Sequence, residues 1–300
     1  MRFPRERPDR PELIYEDEAI LVVYKPPRMH SSPGQGAGDL CAWIFERHPE
    51  VKLDGDGAAG DLAESGGDRS GLLRAGRSRS EGGLLHRLDF ETSGLVLFAR
   101  SAEAYSCLLD QQSRGEFRKE YLALASPSRE CRPSGSRPER GYPDYADPRV
   151  WDEARDALDA PALSELLAAA AAGAGGQSLV RCAFRPYGPK GARVACLAPR
   201  DAERDAPTAA RPEAPIYRSR ILAASPRPAE GGGPGIMELR VGLERGFRHQ
   251  IRAQLAWIGL PIVGDPLYGD VPDSRLRLYA VRLSLIHPIS GNAFSVELDR

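Results

Sequence analysis

The sequence predicts a globular fold that mixes strands and helices, with strands in the majority. Short apolar or alternating runs bounded by turn residues recur from Leu13 to Leu298. Outside one alanine-rich segment, only three stretches carry helical spacing together with a cap or a stop. Of the 300 residues, 41% are hydrophobic, enough for a substantial core, yet no apolar run reaches the length of a membrane span. No internal repeat is visible.

Leu13-Ile14-Tyr15 and Ile20-Leu21-Val22-Val23-Tyr24 read as two paired strands about Glu16-Asp17-Glu18, and Pro26 and Pro27 end the second. Asp39 caps a short helix with Leu40, Trp43 and Ile44 on one face. Residues 54 to 83 are rich in Gly, Ser, Asp and Arg and offer almost nothing to bury, so they read as a long loop or disordered stretch. Order is expected to resume at Leu84. Leu95 to Ala99 is a continuous apolar run, hence a buried strand. Ser101 caps a helix carrying Tyr105, Leu108 and Leu109, and Gly115 stops it. Phe117 to Ala125 alternates in part, as a strand. Residues 127 to 177 form an insertion, followed by a strand-like run from Leu179 to Phe184. Soft stretches cover Ala198 to Ala214 and Ser225 to Gly235. Ile236 to Leu243 is strand-like. Arg248 to Ile258 is a helix pattern with Ile251, Leu255 and Ile258 on one face and Gly259 as its stop. Leu276 to Ile286 alternates, and Phe294 to Leu298 closes the chain as a strand.

The net charge is −1, which taken alone speaks against nucleic acid as a partner. The average hides an asymmetry. From Gly141 to Gly176 seven acids face two arginines, a net −5, so the rest of the chain is +4. A mildly basic body with one acidic insertion is compatible with RNA without demanding it. The insertion ends in a run of alanines with little to bury, and is expected to be a peripheral, partly helical appendage dispensable for chemistry. Five cysteines are scattered without any Cys-x-x-Cys, and the N-terminus has charge but no apolar stretch. Both features point to reduced thiols in the cytoplasm and away from a structural zinc site.

Three segments place polar residues amid apolar order. In Leu84-Leu85-His86-Arg87-Leu88-Asp89-Phe90-Glu91-Thr92-Ser93-Gly94, Asp89 lies between two apolar runs, on a loop leading into a buried strand. Such a carboxylate can serve as nucleophile or base. It can equally cap a turn with Thr92, Ser93 and Gly94, and on this segment alone that reading is the stronger. Tyr121, in Phe117 to Ala123, can stack on a flat base, although a strand tyrosine is usually core. In Gly246-Phe247-Arg248-His249-Gln250-Ile251-Arg252, the two arginines four apart share a helix face. One of them can hold a buried carboxylate in its ionised form; a solvated basic face is the commoner outcome. Gly264 to Gly269 is turn chemistry first. No metal-ligand spacing, P-loop or dinucleotide fingerprint is present.

Together the segments carry more than each alone. His86-Arg87-Leu88-Asp89-x-x-Thr92-Ser93-Gly94-Leu95 resembles the signature of the large-subunit-rRNA/tRNA class of pseudouridine synthases, called RluA-like. Tyr24-Lys25-Pro26-Pro27 is similar to that family's Asn-Lys-Pro-x element, and Lys119-Glu120-Tyr121-Leu122-Ala123 to its Lys-x-Tyr-x-Ala strand. His249-Gln250-Ile251-Arg252, followed by Gly259 to Gly269, resembles its longest motif, and Tyr279-Ala280 and His287-Pro288 match its closing strands. Two departures stand out: Gly246-Phe247-Arg248 where the family has Gly-Arg-Thr, and Tyr24 in place of Asn.

The resemblance implies an α+β fold: a central, largely antiparallel mixed sheet carrying a catalytic cleft, flanked by helices and loops. It implies one catalytic domain over residues 1–300, with no room for the small N-terminal S4-type domain of many members. Asp89 matches the family's catalytic aspartate, Arg87 the arginine that enters the RNA stack, Tyr121 the tyrosine that packs on the target base, and Arg252 the basic residue that pairs with the aspartate. The implied reaction is isomerisation of uridines to pseudouridine in structured ribosomal or transfer RNA. It gains and loses no atoms, so no cofactor and no metal are expected. RNA is the expected partner, with no membrane, and a cytoplasmic monomer is the default. Two other readings stay open on the residues. An RNA chaperone would leave RNA unchanged. An Asp-dependent nucleoside hydrolase would release free uracil, but needs a second carboxylate or a metal to activate water, and Glu91 is the one candidate near Asp89.

Overall fold

The computed structural model describes residues 7–33, 38–53, 81–126, 178–188, 191–197, 215–227, 236–269 and 271–299. The expected insertion over 127–177, the soft stretch over 198–214, residues 228–235 of the next one, and residues 54–80 of the expected loop lie outside them. The chain divides into two compact units: Met1–Arg118 with Ala280–Arg300, and Lys119–Tyr279.

In the first unit β1 (Glu12–Glu16) pairs antiparallel with β2 (Ile20–Lys25), in a register that sets Glu12 opposite Tyr24. Asp17 makes the turn between them, its Oδ1 accepting from the amides of Ala19 (2.8 Å) and Ile20 (2.9 Å). β2 continues antiparallel onto β3 (Ser93–Ala99), Ile20 opposite Ala99 and Lys25 opposite Gly94. Both strands are buried along their whole length, which is why each reads as an unbroken apolar run rather than an alternation. Gly94 has φ 125°, and a Cβ there would stand 2.2 Å from the carbonyl oxygen of Ala280. Only glycine admits so close a neighbour in that conformation. That neighbour lies in the strand Leu278–Ile286, whose antiparallel partner is Ala293–Glu297.

Two helices finish this unit. In α1 (Leu40–Arg47) the Asp39 side chain accepts from the Ala42 amide at 2.8 Å, as its position predicts. The buried face is Leu40, Cys41 and Ile44. Trp43 sits at its edge instead, with the Arg47 guanidinium 4.3 Å from its ring centroid. In α2 (Ala102–Arg114) Ser101 caps the start through the Ala104 amide (3.1 Å), and Gly115 ends it at φ 74°. Leu108 is buried, with Tyr105 and Leu109 packed against a core of Ile20, Val22, Leu95, Leu97, Phe117, Leu283 and Leu285. Gln111 bonds the backbone of Ile286 twice, donating to its carbonyl (2.7 Å) and accepting from its amide (2.8 Å).

The second unit is built on five strands in the order β4, β8, β7, β5, β6, each antiparallel to its neighbours. They are β4 (Arg118–Ala125), β5 (Ser178–Tyr187), β6 (Arg193–Leu197), β7 (Tyr217–Arg227) and β8 (Ile236–Leu243). β6 and β7 are not anticipated by the sequence reading, and β7 runs through Ser225 and Pro226 into an expected soft stretch. Among the described residues, β7 beyond Ile221 pairs with β8 alone, so Pro226 sits where its missing N–H is tolerated. The helix of this unit, α3 (Gln250–Trp257), is shorter than the expected Arg248 to Ile258 and is buried around nearly its whole circumference. His249 precedes it in the left-handed region, φ 56°. Arg248 therefore lies outside the helix and does not share a face with Arg252. Gly259, at φ 80°, follows as expected.

The strand pairing with packed helices is that of an α+β fold. Among the described residues no helix is long and apolar enough to cross a membrane.

Candidate active site

The Asp89 loop is assembled by its apolar residues first. Leu84 bridges to Phe98, and the Leu85 amide donates to the Leu97 carbonyl at 3.0 Å, so the chain runs along β3 before the loop turns away. Order begins slightly earlier than Leu84: the Gly83 amide donates to Val51 and its carbonyl accepts from Ala99, both at 2.8 Å. His86 is buried, its Nε2 accepting from the Leu97 amide (3.3 Å), its ring 5.4 Å from that of Phe117. Leu88 is fastened at both backbone groups by one hydroxyl: Ser31 Oγ accepts from its amide (3.0 Å) and donates to its carbonyl (2.9 Å). The Asp89 carbonyl accepts from the Thr92 amide at 3.1 Å, closing a turn that leaves Asp89 half-buried.

Lys25, the last residue of β2, fixes the other side of Asp89. It has no solvent exposure, and its Nζ donates to the carbonyls of Pro26 (2.9 Å), Met29 (2.8 Å) and Phe90 (3.3 Å). Burial pushes its pKa down to about 7, against the opposing pull of the Asp89 and Glu91 carboxylates. A buried ammonium thus stitches the chain after β2 to the residue after Asp89. In the sequence Lys25 stands out only as part of Tyr24-Lys25-Pro26-Pro27. The signal that marks it is a lysine ending a strand that is otherwise wholly apolar.

Arg87 points outward with 60% of its side chain exposed, and reaches the nearly buried carboxylate of Glu81 at 3.4 Å. Glu81 falls within the stretch expected to be loop, so its burial was not legible.

In the second unit Tyr121 lies on β4 opposite Val241 and is nearly buried, while Glu120 on the other face pairs with Arg240. Arg252, near the start of α3, has no exposure. It forms a two-pronged pair with Asp265, Nε to Oδ2 and Nη2 to Oδ1, each 2.8 Å, and Asp265 is equally enclosed. The solvated basic face is thereby excluded for Arg252. Asp265 Oδ1 also accepts from the amides of Leu267 (2.9 Å) and Tyr268 (3.2 Å), so the carboxylate that holds the arginine shapes the turn it sits on. The Arg252 guanidinium lies 5.6 Å from the Tyr268 ring centroid. The Tyr268 hydroxyl accepts from the Val194 amide (2.8 Å) and meets His249 Nδ1 (3.2 Å), and burial raises its pKa.

Phe247, one of the departures from the family pattern, stacks on Phe184 at 4.9 Å and 3° and meets Tyr217 at 4.8 Å. Its place in the motif is thus taken up by packing ahead of α3. Arg248 donates to the Gly191 carbonyl. Of the expected site residues, Arg87 and Asp89 belong to the first unit and Tyr121 and Arg252 to the second. Lys25, Ser31, Glu81 and Asp265 take part in these arrangements without having been singled out by the sequence.

A family profile described as RNA pseudouridylate synthase matches residues 19–257. An uncharacterized RNA pseudouridine synthase of Chloroflexus aurantiacus is 30% identical over 267 residues, covering 88% of this chain and 57% of the relative. Ribosomal large subunit pseudouridine synthase D of Xanthomonas campestris is 27% identical, covering 93% of this chain and 62% of the relative. The chain therefore spans about three-fifths of the length of these relatives. Among solved structures, human RNA pseudouridylate synthase domain containing 1 superposes with TM-score 0.55 at 16% identity, over 97% of this chain and 84% of that one, a likeness of fold.

Proposed function

The chain belongs to the RNA pseudouridylate synthase family, and from that premise we propose that it isomerises specific uridines of structured ribosomal or transfer RNA to pseudouridine, with Asp89 as the catalytic carboxylate. The observation that carries the reading is the setting of Asp89. It is half-buried, on a turn whose preceding residue is held by Ser31 and whose following residue is held by buried Lys25. A carboxylate that must meet one atom of a nucleotide needs such a fixed backbone. The comparisons support the same reaction, since the curated relatives carry that activity in their names.

The reaction breaks the N1–C1′ bond of the uridine, turns the base and rejoins it through C5, so every atom is retained. The uridine first leaves its stack, at a cost of a few kcal/mol. Arg87, projecting from the loop two residues before Asp89, fills the vacated space. Asp89 then attacks C1′, or takes the 2′ proton to give a glycal. Tyr121 holds the detached uracil as a flat partner while it rotates, and Arg252, whose guanidinium is forked onto Asp265, is by resemblance the basic residue that pairs with the catalytic aspartate. This chain supplies the catalytic part of a cytoplasmic, monomeric enzyme, and the reaction draws on neither cofactor nor metal.

The test is to map pseudouridine across total RNA with and without the gene, and to analyse the product formed by purified protein. Pseudouridine at a defined site supports the reading. Free uracil would make the protein a hydrolase, and unchanged RNA a binding protein.

A further inference from the structure

Five large apolar side chains among the described residues are more than a third exposed, and Phe90, at 39%, is the one aromatic. It directly follows Asp89. Its ring does not hang loose. The His30 imidazole lies 4.6 Å away, centroid to centroid, at 37°. His30 is itself anchored, its carbonyl accepting from the amide of Leu40, the first residue of α1, at 2.9 Å. The Phe90 backbone is held by the Lys25 ammonium at 3.3 Å. One side of the ring is therefore backed, the residue's carbonyl is pinned, and part of the side chain is open to solvent.

A flat apolar ring held in place and left uncovered is what a nucleobase stacks on. Phe90 directly follows Asp89 on the same turn, so with the carboxylate at the target uridine the ring belongs to the immediate surroundings of that nucleotide. The neighbouring base loses its stacking partner when the uridine swings out. We propose that Phe90, backed by His30, is a stacking platform for the nucleobase adjacent to the target uridine, and so a determinant of which flanking sequence is accepted. The proposal rests on Asp89 being the catalytic carboxylate. A purine, with its larger face, gains most from this platform.

The competing role is packing, with Phe90 serving only to cover His30. Leucine would fill that role and a planar ring would not be needed. The experiment uses the Asp89→Asn chain, so that binding is read without turnover. Its probes are single-stranded RNA oligonucleotides holding one uridine with 2-aminopurine on its 5′ or its 3′ side. One of the two probes is quenched by the parent and by Phe90→Trp, and regains its fluorescence with Phe90→Ala and Phe90→Leu. Affinity falls about tenfold for the Ala and Leu variants, and the loss vanishes when the neighbouring base is replaced by an abasic site. The platform is overturned if leucine binds and quenches as phenylalanine does, or if the variants lose as much on the abasic probe. Melting curves of both variants establish that the fold is kept. Because this assay needs no turnover, its outcome is separate from that of the functional reading. A chain that quenches as expected but makes no pseudouridine sinks the reaction alone, and active enzyme with an indifferent Phe90→Leu sinks the platform alone.

Discussion

Asp89 and Asp265 are both aspartates on turns, and they are treated in opposite ways. Asp265 is fully enclosed, and its oxygens are taken up by the Arg252 fork and two backbone amides. Asp89 is half-buried, and the backbone on either side of it is fastened: the amide and carbonyl of Leu88, and the carbonyl of Phe90. The first arrangement is a buried ion pair, in which hydrogen bonds to both charges offset the cost of their desolvation. The second holds a carboxylate in position while its side chain remains within reach of solvent, the condition for acting on a substrate.

The widest separation between the two regions is expected in turnover. Asp89→Asn lowers isomerisation on the order of 10³-fold or more, read as tritium release from 5-tritiated uridine in RNA, while its unfolding free energy stays within roughly 0.5 kcal/mol of the parent. Turnover within tenfold of the parent would remove Asp89 from the chemistry. Asp265→Asn acts first on stability. It leaves a buried guanidinium short of its partner and costs about 3–5 kcal/mol of stability, measured by urea unfolding. Unfolding at the parent midpoint would mean that the pair does not hold this unit together.

Lys25 sharpens the contrast through pH. Its pKa in the folded chain is about 7, below the ordinary 10.5, so between those values the unfolded chain keeps a proton that the folded one has released. Stability from this group is fully present above the upper value and is lost as pH falls towards the lower. Relative to Lys25→Met, the parent gains up to about 1.4 kcal/mol per pH unit across that window and nothing below it. Urea midpoints from pH 6 to pH 10 measure the difference, and a flat difference would place Lys25 outside the buried network. The smallest effect is assigned to Arg87→Ala. The Arg87–Glu81 contact is largely exposed on the arginine side, so stability changes by less than about 1 kcal/mol. Turnover falls about tenfold on a stem-loop and hardly at all on the same site presented unstacked. Equal losses on both substrates would deny Arg87 its place in the stack.

Much of the first unit is legible in the sequence because its signals are local. Ile20 to Tyr24 and Leu95 to Ala99 are buried on both faces and read as apolar runs, and Ser101 and Gly115 mark their helix by side-chain chemistry alone. β7 is hidden by Arg218 and Arg220 on its outer face; the alternation Tyr217, Ser219, Ile221 is present but short, and an irregularity between Ile221 and Ala223 breaks it. The basic pair Arg248 and Arg252 misled for a different reason. Sequence spacing presupposes one continuous helix, and the left-handed residue His249 starts it two positions late. Asp265 carried no mark of its pairing, because the arginine it holds is thirteen residues away and the intervening turn decides whether they meet. Motif resemblance singled out Arg87, Asp89, Tyr121 and Arg252. The supports of the loop, Ser31 and Lys25, follow from contacts across 57 and 65 positions that no local pattern encodes.

Gly94 fixes a further property of the chain, one that concerns descent more than mechanics. Every other residue brings a Cβ, and that atom would stand 2.2 Å from the Ala280 oxygen in a backbone region that L side chains shun. Each single-base change in the Gly94 codon that alters the amino acid is therefore closed to this lineage unless a strand moves first. Positions such as Phe90, whose ring faces solvent, remain open to exchange one side chain at a time. The route by which such a loop acquires a new sequence preference thus runs through its exposed residue, while the strand behind it stays frozen.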